Sequence, residues 1–147
     1  MNVYEELLKF KKKYKGTLSF RLKEHCKILE KHLNPDEKIL YIFTGQKNNS
    51  SIAIPNTFVV ALTNKRLLFA RKRLLFGYFF YAVTPDMFND LKVNSGIIWG
   101  KIIIDTVKEL AIINNISKQA LDDIETNITE YMMKEKKKYG LNNKKEA

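Results

Sequence analysis

The sequence predicts an α+β domain: two N-terminal helices, a run of seven short strands and one closing helix. Three observations carry that prediction. Apolar residues recur at helical spacing through residues 1–34. From Lys38 to Ile113 the chain breaks into short runs rich in Ile, Val, Phe and Tyr, divided by turn residues. A single amphipathic stripe returns after Ser117. The expected organisation is a helical extension over 1–34, a sheet-and-helix domain over 35–140 and a frayed tail over 141–147.

The first helix is expected to carry Val3, Leu7, Leu8 and Tyr14 on one side, with Asn2 as its cap and Gly16 as its stop. A second is expected from Thr17 to Leu33, because Leu18, Leu22, Cys26, Leu29 and Leu33 fall on one stripe. Asn34-Pro35 ends it, since the residue before a proline is pushed out of the α region. The seven strand runs are Lys38–Gly45, Thr57–Thr63, Arg66–Arg71, Tyr78–Val83, Asn89–Asn94, Ile97–Asp105 and Val107–Ile113. Thr63-Asn64-Lys65-Arg66 and Asn94-Ser95-Gly96 are too short for a parallel crossover, so the strands they join are antiparallel. Asn64 suits a turn that needs a positive φ. The longest connection, Gln46–Asn56, is polar at Asn48-Asn49-Ser50-Ser51 and is expected to move. Gly100, isolated in an apolar run, marks either a bulge at a corner or an ordinary turn. The last helix has Ser117 as its cap and Leu121, Ile124, Ile128, Tyr131 and Met132 as its stripe. Lysines crowd its finish, and Gly140 is its stop.

Composition narrows the function classes. The chain has 147 residues, 45% of them hydrophobic and 12% aromatic, so it is neither disordered nor of low complexity. A domain of this length buries roughly 70% of the surface its unfolded chain exposes and needs no metal or disulfide to hold a core. Cys26 is the single cysteine, which excludes an intrachain disulfide and a cysteine-built zinc cage. No apolar run reaches the ~20 residues of a spanning helix, and residues 1–16 lack the pattern of a secretion signal, so a cytoplasmic location is expected. The net charge is +10, and half of that excess lies in residues 1–34. Most of it is lysine set between apolar helical positions, the pattern of a solvated helix surface.

The strand region also carries motifs. Ala61-Leu62-Thr63-Asn64-Lys65-Arg66-Leu67-Leu68-Phe69 resembles a hairpin common in bacterial pleckstrin-homology proteins of the YokE-like type. Asn34-Pro35-Asp36-Glu37-Lys38-Ile39 resembles the segment that opens their first strand. Gly96-Ile97-Ile98-Trp99-Gly100-Lys101-Ile102 is similar to their fifth-to-sixth strand step, and Ile113-Asn114-Asn115-Ile116-Ser117 to the approach to their capping helix. The likeness covers residues 34–136. It implies a seven-stranded antiparallel β-barrel, partly open, with the C-terminal helix across one end and the N-terminal helices outside the motif.

The resemblance also implies that the loops after strands one, three and six gather at the open end, where eukaryotic relatives that bind phosphoinositides place basic residues. Arg71, Lys72 and Arg73 follow the third run, and Lys47 joins them from the first loop, making these four the ligand-binding candidates. An arginine pair holds phosphate through bidentate hydrogen bonds. Against phosphoinositide recognition, the first loop carries only Lys47, and Asp105 adds the wrong sign.

Leu74-Leu75-Phe76-Gly77-Tyr78-Phe79-Phe80-Tyr81 is unusually aromatic, and a strand turns half its side chains outward, so some of these rings need cover. The N-terminal helices can supply it, or another copy of the chain can. The expectation adopted is assembly, with Phe76, Tyr78, Phe79, Phe80 and Tyr81 as interface residues. Tyr4, Phe10 and Tyr14 beside Lys11-Lys12-Lys13 offer an alternative, stacking of single-stranded nucleic acid, and the same helix could lie on an anionic membrane. Neither is favoured over core packing.

His25, Cys26 and His32 share the second helix but lack further ligands for a metal. The sequence has no nucleophile elbow, phosphate-cradling loop or zinc-protease helix; Asp86 and Asp90, four residues apart, could be paired carboxylates, but Pro85 suggests a turn, where acidic residues are common. No catalytic residue, metal or cofactor is expected. The function expected is a non-catalytic, self-associating binding or assembly module working through protein–protein contact; the alternative is a charge-driven adaptor for an anionic membrane surface or nucleic acid.

Overall fold

A computed structural model describes residues 2–47 and 56–146. The elements run α1 (Val3–Lys13), α2 (Leu22–His32), β1 (Ile39–Lys47), β2 (Thr57–Thr63), β3 (Leu67–Lys72), β4 (Tyr78–Val83), β5 (Phe88–Ser95), β6 (Trp99–Thr106), β7 (Leu110–Ser117) and α3 (Leu121–Glu146). All seven strands are antiparallel, in the order β4-β3-β2-β1-β7-β6-β5. The sheet stays open, because among the described residues β4 and β5 form no ladder. Among the described residues its two halves pair at Gln46–Asn114 and Lys47–Ile113. Gly45 stands beside that seam, where an added Cβ would lie 2.9 Å from the Asn114 carbonyl oxygen. The register slips between Gly100 and Ile102, the bulge that an isolated glycine allows. The polar stretch Asn48–Ser51 lies outside the described residues.

The two paired motifs interlock. Thr63 Oγ1 accepts from the Lys65 and Arg66 amides and closes the β2–β3 turn. Asn64 is not left-handed as expected. It works through its side chain instead, accepting from the Lys38 amide at 2.7 Å and donating to the Asp36 carbonyl. Lys65 pairs with Asp36 at 2.7 Å, and Arg66 grips Glu37 with Nε and Nη2 at 3.0–3.2 Å. Arg66 Nη2 also donates to the His32 carbonyl at 2.9 Å, which ties the end of α2 to the same clasp.

The helices take both sides of the sheet. Asn2 caps α1 as expected, accepting from the Tyr4 and Glu5 amides. The helix buries Val3, Leu7 and Phe10 against α2 and β1, while Leu8 stays exposed. The second helix begins at Leu22, five residues later than its apolar spacing predicts. Thr17–Phe20 is drawn into tertiary hydrogen bonds instead. The Thr17 hydroxyl accepts from the Ser117 amide, the Leu18 amide reaches the Asn115 carbonyl, and the Phe20 amide reaches Thr57 Oγ1. Arg21 then turns the chain with φ 55°. α2 rests on β3 and also touches β2 and β4, over a face where Ala61, Leu68 and Ala70 are fully buried.

α3 covers β5 and the turn Pro85–Met87, burying Leu121, Ile124, Ile128 and Met132. Ser117 does not cap it. That residue ends β7, and the 3-10 turn Lys118–Ala120 intervenes. Nor does the helix stop at Gly140, where a Cβ would meet nothing; it continues to Glu146. Asp123 Oδ2 accepts from Tyr14 and Tyr41, each at 3.0 Å, and so links α3 to α1 and β1.

The Glu37 side chain is fully buried, so removing its partner leaves an uncompensated carboxylate. Arg66→Ala is expected to lower stability by about 3–5 kcal/mol. Urea unfolding followed by circular dichroism measures the loss, and an unchanged midpoint would show that the clasp is ornamental.

Candidate functional site at the open end

The end opposite the clasp is built differently. The β3–β4 connection is a three-residue turn, Leu74-Leu75-Phe76, closed by the Arg73 amide on the Gly77 carbonyl at 3.0 Å, with Gly77 left-handed at φ 73°. Nothing in the described chain covers its tip. Leu74, Leu75 and Phe76 are 65%, 80% and 83% exposed.

Beside the tip lies a cleft of about 790 Å³ between β4 and the β6–β7 turn. The ladder register puts Phe58, Arg71 and Phe79 on one face together with Phe69 and Tyr81. Arg71 lies between two rings, its guanidinium 5.7 Å from the Phe58 centroid and 5.3 Å from that of Phe79. Its Nη1 donates to Asn56 Oδ1 at 2.9 Å, while its buried Nε has no partner among the described residues. Burial, and then the neighbouring Arg73 charge, pull its pKa down. Arg73 stacks over the outer side of Phe79 at 4.1 Å. Lys47 reaches in from β1 to Glu109 and to the Tyr81 hydroxyl, each at 3.2 Å, and lies over the Tyr81 ring at 4.8 Å. Tyr81 is held flat on Phe69, with ring centroids 4.4 Å apart. Burial, and then Glu109, push its hydroxyl pKa up. Stacked cations of this kind offer charge to a ligand while their stems pack on rings.

The four basic candidates therefore divide. Lys47 and Arg71 meet in the cleft, and Arg73 stands at its rim. Lys72 points to the other face, where its amide donates to His25 Nδ1 at 2.8 Å. The aromatic candidates divide as well. Phe80 is stacked on His32 at 4.1 Å, and Tyr78 packs edge-on to the same imidazole, so α2 covers both. Tyr81 faces inward, Phe79 carries the arginines, and Phe76 is left in the open. Phe10 and Tyr14 are buried, which removes two of the three rings that base stacking on the first helix would use. Asp86 lies in the 3-10 turn, while Asp90 lies in β5 and accepts from the Leu91 amide, so they do not form a carboxylate pair. Phe58, Thr106, Lys108 and Glu109 line the cleft without having been singled out in the sequence. Phe58 carried one usable signal, its alternation with Val60 on an apolar strand.

The described residues hold no group of three or more His, Cys, Asp or Glu side chains placed for a metal. No described helix is long and apolar enough to cross a membrane.

Residues 33–130 match a family model described as the bacterial PH domain. The chain belongs to that family. Among solved structures, this bacterial PH domain is similar to the crystal structure of a pleckstrin homology domain from Shewanella amazonensis SB2B. The two are 12% identical with a TM-score of 0.48, over 81% of this chain and 94% of that one. No curated protein matches it.

His25 gives the rim of this PH domain a pH dependence. Burial lowers its pKa from 6.5 to about 4, with the Phe20 carbonyl acting in the opposite sense, and its neutral Nδ1 accepts from Lys72. The unfolded chain therefore binds a proton that the folded chain refuses. Stability is full above pH 6.5 and falls as the pH drops toward 4, by about 3 kcal/mol in total from this one group. Denaturant titrations across that interval are expected to show the loss, and His25→Gln to flatten the one-proton part of the slope.

Proposed function

We propose that this bacterial PH domain is a non-catalytic binding module that works through protein–protein contact at its open end and associates with its own copies there. The observation that carries this is the tip Leu74-Leu75-Phe76, three consecutive large apolar side chains in water on a glycine-closed turn. Isolated exposed leucines are ordinary, whereas a contiguous apolar tip beside a lined cleft is the mark of an interaction surface. Phe79 extends the apolar surface from the tip along β4. Cytoplasmic residence fits this use.

A second use is favoured by a specific feature. Arg71, Lys72 and Arg73 directly precede the apolar tip, the arrangement that suits an anionic membrane surface. Salt separates the two. Apolar self-association persists at high ionic strength, and charge-led adsorption fades.

Sedimentation velocity over a concentration series is expected to show association that survives 0.5 M salt (roughly three times physiological ionic strength) and is abolished by Leu75→Asp. Strictly monomeric sedimentation at every concentration would defeat the assembly proposal. Salt-sensitive pelleting with phosphatidylserine vesicles, lost in an Arg71→Ser, Arg73→Ser double variant, would replace it with the membrane reading.

A further inference from the structure

We propose that the free edge of β4 is a docking groove for an extended acidic segment of a protein partner, which adds to the sheet as an eighth strand. The proposal deepens the binding-module reading and is independent of the apolar tip.

The sheet order ends at β4. Its hydrogen-bond phase follows from the turn. The Arg73 amide bonds to the Gly77 carbonyl, and Arg71–Phe79 and Phe69–Tyr81 follow in register. An antiparallel ladder alternates bonded and non-bonded pairs, so the N–H and C=O groups of Tyr78, Phe80 and Ala82 point away from β3. Among the described residues this edge has none of the usual guards. Tyr78–Val83 contains no proline and no charge, and its register against β3 has no bulge. An unguarded edge of six residues, about 20 Å long, is a template for another strand.

The groove fits that occupant. The consecutive residues Phe79 to Val83 form one wall of the 790 Å³ cleft, so the backbone edge itself lines it, and the β6–β7 turn forms the other wall. Charge selects the partner. Lys47, Arg71 and Lys108 line the groove against a single carboxylate, Glu109, which Lys47 already engages. Arg71 keeps a buried Nε with no partner among the described residues. Carboxylates at alternate positions of an added strand would reach these cations from one side. A second copy of this chain is a poorer occupant, because edge-to-edge pairing would set like charges together in a protein of net charge +10.

The experiment uses the full-length Leu75→Asp chain, so that tip association plays no part. The probe is a blocked ten-residue peptide alternating Glu with Val, compared with its Lys counterpart and with a version N-methylated at alternate residues. Amide exchange by NMR reads the edge directly. The acidic peptide is expected to slow exchange at Tyr78, Phe80 and Ala82. The lysine peptide and the methylated peptide are expected to bind at least tenfold more weakly. Ala82→Pro removes an outward N–H without touching the β3 ladder and is expected to weaken binding by a similar factor, with an unchanged fold by circular dichroism. Lys108→Glu is expected to weaken it in the same direction. Absence of binding, or acidic-peptide binding that ignores both N-methylation and Ala82→Pro, overturns the proposal. Concentration-dependent protection of the same three amides without any peptide also overturns it and makes a second copy the occupant. Because the tip is disabled throughout, failure here leaves the self-association proposal standing, and failure of that proposal leaves the groove standing.

Discussion

The clasp between the start of β1 and the β2–β3 turn is the constraint on which the remaining structure rests. A buried carboxylate is costly unless its lone pairs are filled, and Arg66 fills those of Glu37 from a planar fork while also holding the last carbonyl of α2. Asp36–Lys65 and Lys38–Asn64 flank it on either side, so three successive residues of one segment meet three successive residues of the other. That one-to-one match fixes where α2 ends, where β1 begins and how the first hairpin is registered. With α2 set, its inner side falls on Ala61 and Ala70, whose small side chains let helix and sheet approach closely.

The two ends of the sheet use charge in opposite ways. At the clasp, Lys65 and Arg66 each have a carboxylate partner within the chain. At the open end, among the described residues, Lys47 has a carboxylate partner, while Arg71 and Arg73 lean on Phe58 and Phe79 and Arg71 donates only to the neutral Asn56 side chain. Rings orient a guanidinium without neutralising it, so these cations remain available to a ligand. The clasped first half of the structure thus presents unspent charge at its far rim, next to apolar groups that water covers poorly.

Much of this was legible in the residues. The seven strands, their antiparallel pairing and the final helix follow from periodicity and turn chemistry, and the two interlocked segments were visible as motifs although their mutual contact was not. Sequence spacing failed where tertiary hydrogen bonds outbid a local pattern. Leu18 and Leu22 lie on a helical stripe, yet Thr17 and Leu18 bond to the end of β7 and the helix starts late. Ser117 has the chemistry of a cap, but its amide is engaged by Thr17 and its place is in a strand. The candidate site was legible only in part, because strand alternation sends Arg71 and Arg73 toward the cleft and Lys72 toward His25. Lys108 and Glu109 carry no local signal and join Arg71 only through the fold. The aromatic segment was recognised as needing cover, and α2 supplies it for Phe80 and Tyr78, which leaves the leucine–phenylalanine tip as the residue of that problem.

The way α2 lies on the sheet bears on how this protein can be dissected. The stretch that matches the bacterial PH domain family begins at residue 33, one position past the end of that helix. A fragment cut at this boundary would lose the roof over Ala61, Leu68 and Ala70, the imidazole that accepts from Lys72 and the carbonyl that Arg66 holds. Its solubility and stickiness would then report a wound made by truncation rather than a property of the intact molecule, and expression libraries designed on motif limits would select against the very part of the chain that keeps the sheet's back dry.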